Sequence, residues 1–452
     1  MKMRIILALM LMVSGGLFAQ SWTETVTSPA PAPTGYYAMS FIEKNNVLFF
    51  GSYVVGTSAV SETWLYNANK NTWQKLTTTG EPAPRVRAAM APVGGGKVIL
   101  YGGNALVYGV SPVTLAKETW LFDLNTNTWT KLNTIGNPPA LAGHGMCFSG
   151  GGDKAVLFGG VIVRSATLPG LDSKRSNQTW IFDLSDNTWT KSSAVGPSAR
   201  TQAPLLYMGG DKAILFGGYD GSLQLDDTWR FDRSKDKWVK RNPVAGVKPP
   251  ARYNHAGAYL EDGKVVVFGG RADVLPDPNE NTETVIFGDT WIYDNGANAW
   301  TEDTGSPAPS ARAGARMAET NLNNLKPAVL FGGLSDESTI YGDTWEFLPA
   351  LNKRSAPLAE AGALPTEFVL EQNYPNPFNP TTTINYQLPE AVHVRLTVYD
   401  ALGQQVAVLI DGEKESGYHQ ATWNASHQPS GTYIYRLEAG NVVETKRMVL
   451  LK

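Results

Sequence analysis

A short apolar run closing on paired glycines recurs along this chain, and no other feature of the sequence restricts its fold as much. It reads Ile99-Leu-Tyr-Gly-Gly103, Val156-Leu-Phe-Gly-Gly160, Ile214-Leu-Phe-Gly-Gly218, Val266-Val-Phe-Gly-Gly270 and Val329-Leu-Phe-Gly-Gly333, with a weaker first copy, Leu48-Phe-Phe-Gly-Ser52. The first glycines stand at 51, 102, 159, 217, 269 and 332, so the copies are 51, 57, 58, 52 and 63 residues apart. A period of this length marks an array of small units, each covering the apolar face of its neighbour.

Each run is followed by a Thr-Trp pair, at Thr63-Trp64, Thr119-Trp120, Thr179-Trp180, Thr228-Trp229, Thr290-Trp291 and Thr344-Trp345. Nine residues further on, five of them meet a second tryptophan, at 73, 129, 189, 238 and 300. Polar turns such as Asp123-Leu-Asn-Thr-Asn127 lie between the two, so each stretch predicts a β-hairpin. The sixth copy lacks the second tryptophan, and Trp22 in Ser-Trp-Thr-Glu-Thr has the matching context near the other end of the chain. The spacing therefore predicts a ring closed by pairing this first strand with the last three, which removes the open sheet edge.

Double glycine, Thr-Trp and trailing Trp, repeated in this order, resemble the kelch family of β-propellers over residues 20–349. The resemblance implies six four-stranded blades, with the tryptophans packed between neighbouring blades. It also implies an arginine ahead of the first strand of a blade, matched here by Arg85, Arg200, Arg252 and Arg312, with Gly35 and Leu141 where arginine is missing. Arg252-Tyr-Asn-His255 fits the family pattern most fully, and His144 fills the histidine position of the third repeat. These residues are expected near one end of the axial channel. Arg85, Arg200, Arg252, His255 and Arg312 are accordingly the candidate ligand-binding residues; the competing role is to tie loops together through carbonyl oxygens. The acids preceding the Thr-Trp pairs, Glu62, Glu118, Asp227, Asp289 and Asp343, with Gln178 once, recur with the blades. Their recurrence points to turn capping or pairing with the arginines rather than catalysis.

Individuality lies in the loops, and the long ones are Val161 to Gln178, with Arg164, Asp172, Lys174 and Arg175, and Arg271 to Asp289, with Asp273, Asp277, Glu280 and Glu283. The acids of 273–283 lack the regular spacing of a calcium loop. Copper oxidases of the galactose oxidase type resemble the chain in repeat only: the ring holds just His144 and His255, and Cys147 reads as a small core residue. Nitrile-specifier proteins need an acid cluster that the long loop does not reproduce. One cysteine excludes an internal disulfide framework and a cysteine zinc cluster. No metal or cofactor is expected, and no catalytic residue is assigned, since no Ser-His-Asp grouping, P-loop or dinucleotide fingerprint is present. With 38 basic and 41 acidic residues, no basic excess points to nucleic acid.

The two ends read as addresses. Lys2 and Arg4, the apolar run Ile5 to Val13 and Leu17-Phe-Ala19 predict a signal peptide over 1–19, too short to span a bilayer. Past a linker at 350–365, residues 366–452 carry Asn373-Tyr-Pro-Asn-Pro-Phe-Asn-Pro380, Tyr399-Asp-Ala-Leu-Gly403 and Gly431-Thr-Tyr-Ile-Tyr-Arg436. This region resembles the type A sorting domain of the type IX secretion system. It implies export through that machinery to the outside of a Gram-negative cell, with no transmembrane span in the mature chain. Strands at Thr383–Gln387, Val392–Tyr399, Gln405–Ile410, Gly417–Trp423, Gly431–Glu438 and Val442–Leu451 predict a small immunoglobulin-like β-sandwich. The expectation is thus an all-β chain, a six-bladed kelch-type β-propeller with a C-terminal β-sandwich, secreted or cell-surface, binding a glycan or a surface protein. The alternative is a carbohydrate-acting enzyme, similar to sialic-acid mutarotases, using an arginine-lined channel.

Overall fold

In the computed structural model, residues 21–451 are described except for 26, 53–59, 106–113, 151–152, 164–172, 244–246, 274–283, 321–326, 336–338, 349–367, 371–372 and 374–377. The expected signal peptide and linker lie outside the described residues, as do Arg164, Asp172, Asp277, Glu280 and Glu283.

Residues 21–348 build six four-stranded antiparallel sheets. Within the first, Ala38–Glu43 is innermost, followed outward by Asn46–Ser52, Val60–Asn67 and Thr72–Lys75. The next four sheets repeat this order, with innermost strands Ala89–Pro92, Gly145–Ser149, Leu205–Tyr207 and Ala256–Tyr259. In the sixth, Arg316–Glu319, Ala328–Phe331 and Thr344–Leu348 receive Ser21–Thr25 as the outermost strand, Trp22 standing opposite Phe347. The ring therefore closes as the lone Trp22 predicts, and the innermost strands touch one another in a complete cycle.

The two tryptophans of each repeat have different duties. The second one is buried against the preceding blade and donates its indole N–H to the threonine of that blade's Thr-Trp pair: Trp129 to Thr63, Trp189 to Thr119, Trp238 to Thr179 and Trp300 to Thr228, at 2.9–3.1 Å. Trp22 to Thr290 and Trp73 to Thr344 complete the cycle. Each indole thus fills an apolar seam while its one polar atom is satisfied, which lets so large a side chain be buried completely. The first tryptophan instead donates to the side chain two residues before it, as Trp291 does to Asp289 at 2.7 Å.

The double glycine is required by close approach. Gly269 has φ +65°, and a Cβ there would stand 2.5 Å from the carbonyl oxygen of Arg312 in the next blade. Gly270 donates its N–H to that same oxygen at 2.8 Å, so the pair is a backbone weld between blades. Past the weld, the segments read as long loops begin and end as short ladders, Val161–Val163 with Ser173–Arg175 and Arg271–Asp273 with Thr284–Ile286.

Residues 369–450 form a separate unit of two sheets. Val369–Leu370, Thr381–Leu388 and Gly417–Asn424 make one; Gln405–Lys414, Val392–Tyr399, Gly431–Ala439 and Val442–Leu450 make the other. Ile384, Leu396, Val398, Trp423, Tyr435 and Met448 lie in the core between them. The six expected strands are all present, and Val369–Leu370 adds a seventh.

Candidate functional site

The four family arginines occupy equivalent places, and each is closed within its own blade. Arg252, fully buried, donates Nη1 to the carbonyl of Gly269 at 3.0 Å and grips Asp289 with both terminal nitrogens at 2.6 and 2.7 Å. Arg312 does the same with Gly332 and Asp343 and Arg200 with Gly217 and Asp227, while Arg85 donates Nη1 to Gly102 and reaches Glu118 through Nη2 alone, at 3.1 Å. The guanidinium faces of Arg252 and Arg312 are covered by Phe287 and Tyr341, 4.1 and 3.9 Å from the ring centres. Burial raises the pKa of the partner carboxylates, but the charge-assisted bonds outweigh it. Asp227, Asp289 and Asp343 all lie below the ordinary range, and Glu118, gripped also by Lys131, falls to about 2. The third blade has neither member, carrying Leu141 and Gln178 in their places. In the first blade the equivalent position is Thr34 rather than Gly35: Gly333 donates to the Thr34 carbonyl as Gly270 does to that of Arg312. There Glu62 pairs with Lys75 at 2.7 Å instead.

Two residues after each arginine position, the chain makes a belt around the axis. Arg87 N–H donates to Tyr36, Gly143 to Arg87, Gln202 to Gly143, Asn254 to Gln202, Gly314 to Asn254 and Tyr36 to Gly314, at 2.7–3.1 Å. These six bonds form a closed cycle, one residue per blade, every one left-handed with φ of 55° to 69°. Asparagine and glycine suit this conformation, while Tyr36, Arg87 and Gln202 are held in it against their preference. All six innermost strands start just past the belt and run away from it, so the belt rims one mouth of the channel.

Just inside the rim stands Arg316. Its equivalents on the other innermost strands are Ala38, Ala89, Gly145, Pro204 and Ala256, all small. One long cationic side chain therefore enters a channel that five small residues leave open, and all six line the cavity. The only hydrogen bond of its guanidinium among the described residues is from Nη1 to the Ala315 carbonyl, and it has no carboxylate partner there. Burial lowers its pKa, and Tyr37, Tyr36, Arg87 and His255 are among the titratable groups around it. Arg87 stacks its guanidinium on Tyr36 at 4.9 Å, and Gln202 turns a buried Oε1, without a partner among the described residues, toward the same cavity. Outside the rim, the rings of Tyr219 and Tyr253 pack 5.3 Å apart at a tilt of 35°, with Arg271 over Tyr253 and Asp273 accepting from the Tyr253 hydroxyl at 2.6 Å.

Of the five residues expected at the site, His255 lines the cavity and the four arginines do not. His144 lines it too, and burial holds both imidazoles near pKa 3, neutral at physiological pH, with the charges of Arg252 and Arg316 acting in the same direction on His255. Arg316 was legible in the sequence once the repeats are aligned residue by residue, as the one charge in a column of alanine, glycine and proline. Among the described residues no three His, Cys, Asp or Glu side chains converge as metal ligands would. Nor is any helix there long and apolar enough to cross a membrane.

Comparison with known proteins places the whole arrangement. The sequence family described as the KLHDC2/KLHL20/DRC7 Kelch-repeats domain matches residues 12–160 and 152–366, and the one described as the secretion system C-terminal sorting domain matches 372–451. Putative adagio-like protein 2 of Oryza sativa is 29% identical over 212 residues, 45% of this chain and 31% of that protein. Acyl-CoA-binding domain-containing protein 5 of Arabidopsis thaliana is 24% identical over 365 residues, 78% of this chain and 52% of that one. Kelch domain-containing protein 2 of Bos taurus is 28% identical over 227 residues, 45% and 52% of the two chains. The chain thus spans about a third to a half of the length of these relatives. The solved structure titled "Structure of YjhT" superimposes with a TM-score of 0.55 over 70% of this chain and 95% of that one, at 19% identity, a likeness of fold alone.

Proposed function

Since the chain belongs to the kelch-repeat family and carries a type IX secretion sorting domain behind its propeller, we propose that it is an exported surface protein whose channel mouth binds a carboxylated sugar. Export to the outside of a Gram-negative cell follows from the sorting domain itself. The observation that carries the ligand class is Arg316. Four other arginines of the propeller each hold a carboxylate, whereas this one reaches into an open cavity with none among the described residues. A planar guanidinium in a partly dry site is matched by a carboxylate, which it can grip through two parallel hydrogen bonds. Arg87, lying over the Tyr36 ring at the rim, adds a second positive charge, and Gln202 Oε1 can accept from a hydroxyl.

The test is a calorimetric titration of the exported chain with N-acetylneuraminic, glucuronic and galacturonic acids, beside their methyl esters. Binding of an acid, loss of binding for its ester and loss again in Arg316→Met are expected. Equal affinity for acid and ester, or unchanged binding by Arg316→Met, would overturn the reading.

Turnover of the same sugar is the second reading, favoured by Glu319. This carboxylate lines the same cavity three residues beyond Arg316, about 10 Å along the strand. It supplies a proton-transferring group at the distance of a sugar ring from a carboxylate anchor. Anomer exchange followed by proton NMR, with protein at catalytic concentration, separates this from binding alone.

A further inference from the structure

The far end of the channel is built differently from the belted mouth. Phe41, Pro92, Phe148, Tyr207, Tyr259 and Glu319 stand at equivalent positions of the six innermost strands, opposite Val47, Val98, Ala155, Ala213, Val265 and Ala328. The chain thus presents there one ring of residues, five apolar or aromatic and one acidic. All six line a cavity of about 220 Å³. The aromatic members meet edge to face: Phe148 and Tyr207 have ring centres 5.1 Å apart at 67°, and Tyr207 and Tyr259 5.1 Å apart at 64°. Among the described residues, no lysine, arginine or histidine lines the cavity.

Three observations narrow what such a ring can hold. Phe41, Phe148 and Tyr207 are half-buried rather than sealed, so these rings remain partly open to the cavity, while Tyr259 is buried behind them. Aromatic faces carry negative potential, and an enclosure of several rings attracts a diffuse cation that sheds its water easily. The only charge among the described lining residues is negative, at Glu319, which adds an attraction for a cation and repels an anion.

We infer that this end of the channel is a site for a small organic cation of the trimethylammonium class, held by Phe41, Phe148, Tyr207 and Tyr259 with Glu319 as counter-charge. The site lies three residues along each innermost strand from Arg316 and its equivalents, further down the same channel, and Glu319 is the one group it has in common with the turnover reading.

The exported chain is titrated calorimetrically with choline and tetramethylammonium, and with 3,3-dimethylbutan-1-ol, which has the shape of choline without its charge. Saturable binding of both cations is expected, roughly tenfold or more tighter than that of the neutral isostere. Glu319→Gln should weaken choline about tenfold, and Tyr207→Leu should weaken it too. Each variant is compared with the parent by thermal melting, and Glu319→Gln keeps the shape of the side chain if Tyr207→Leu disturbs the fold. The inference fails if the neutral isostere binds as well as choline, if Glu319→Gln leaves choline binding unchanged, or if neither cation binds at the highest soluble concentration.

Discussion

The indole N–H of Trp22 donates to the hydroxyl of Thr290 at 2.9 Å, joining residues 268 positions apart in the chain. It is the same bond that Trp300 makes to Thr228 and Trp129 to Thr63, but here it crosses the seam where the two ends of the propeller meet. The ring is held shut by the contact that separates every other pair of blades.

Trp22→Ala should therefore lower the stability of the whole propeller, by about 3–5 kcal/mol for the lost indole, whereas Thr290→Val should cost about 1 kcal/mol. Urea unfolding monitored by circular dichroism measures both. If Trp22→Ala unfolds at the parental midpoint, the first strand is not what closes the ring.

The arginine–carboxylate pairs invite an exchange between blades. Asp289→Ala leaves the buried Arg252 guanidinium without its partner and should cost about 3–5 kcal/mol. The double change Arg252→Leu with Asp289→Gln copies the Leu141 and Gln178 of the third blade and should recover more than half of that loss. A double variant no more stable than Asp289→Ala would show that the pair has a role the third blade does not share.

Acid should act in two stages. His144 and His255 are near pKa 3 when folded against about 6.5 when unfolded, so the folded state binds fewer protons and stability begins to fall below pH 6.5. Glu118, Asp227, Asp289 and Asp343 are lowered as well, so their contribution is complete above about pH 4.5 and is lost as pH falls toward 2. Melting temperatures recorded from pH 8 to pH 3 should decline gently below 6.5 and steeply below 4.5. His255→Asn should flatten the upper part of the curve and leave the lower part, and a profile level down to pH 4.5 would contradict the neutral, buried imidazoles.

Arg316 should behave unlike the other arginines in a stability assay. With no carboxylate to abandon among the described residues, Arg316→Met should change unfolding by no more than about 1 kcal/mol, while Arg312→Met should cost about 3 kcal/mol or more. Equal losses in the two variants would mean that Arg316 is a structural tie like its neighbours.

Much of this organisation was legible in the chain before any coordinates. The double glycines and the Thr-Trp spacing locate every blade because a propeller repeats its welds: a glycine is needed wherever the next blade's carbonyl comes within reach of a Cβ, as at Gly269. A tryptophan missing from the last repeat and present near the start is enough to predict a closed ring, since a hydrogen-bonded seam must recur as often as the blades do. The sorting domain is legible for a similar reason, its short alternating strands and Asn-Pro segment standing close together in sequence.

The fate of each charged side chain is another matter. Arg252 and Arg316 look alike as letters, and the family pattern points to the first as the better candidate for a ligand. Packing decides otherwise about their surroundings: Arg252 lies against a glycine carbonyl and Asp289 in its own blade, 37 residues away, while Arg316 faces five other strands that present small residues across an open axis. The sequence by itself determines the repeat, the closure and the address, because those rest on patterns local to a blade or copied from blade to blade. Which cation is neutralised and which is left facing the channel depends on what stands across it, and six strands from distant parts of the chain come together there only in the closed ring.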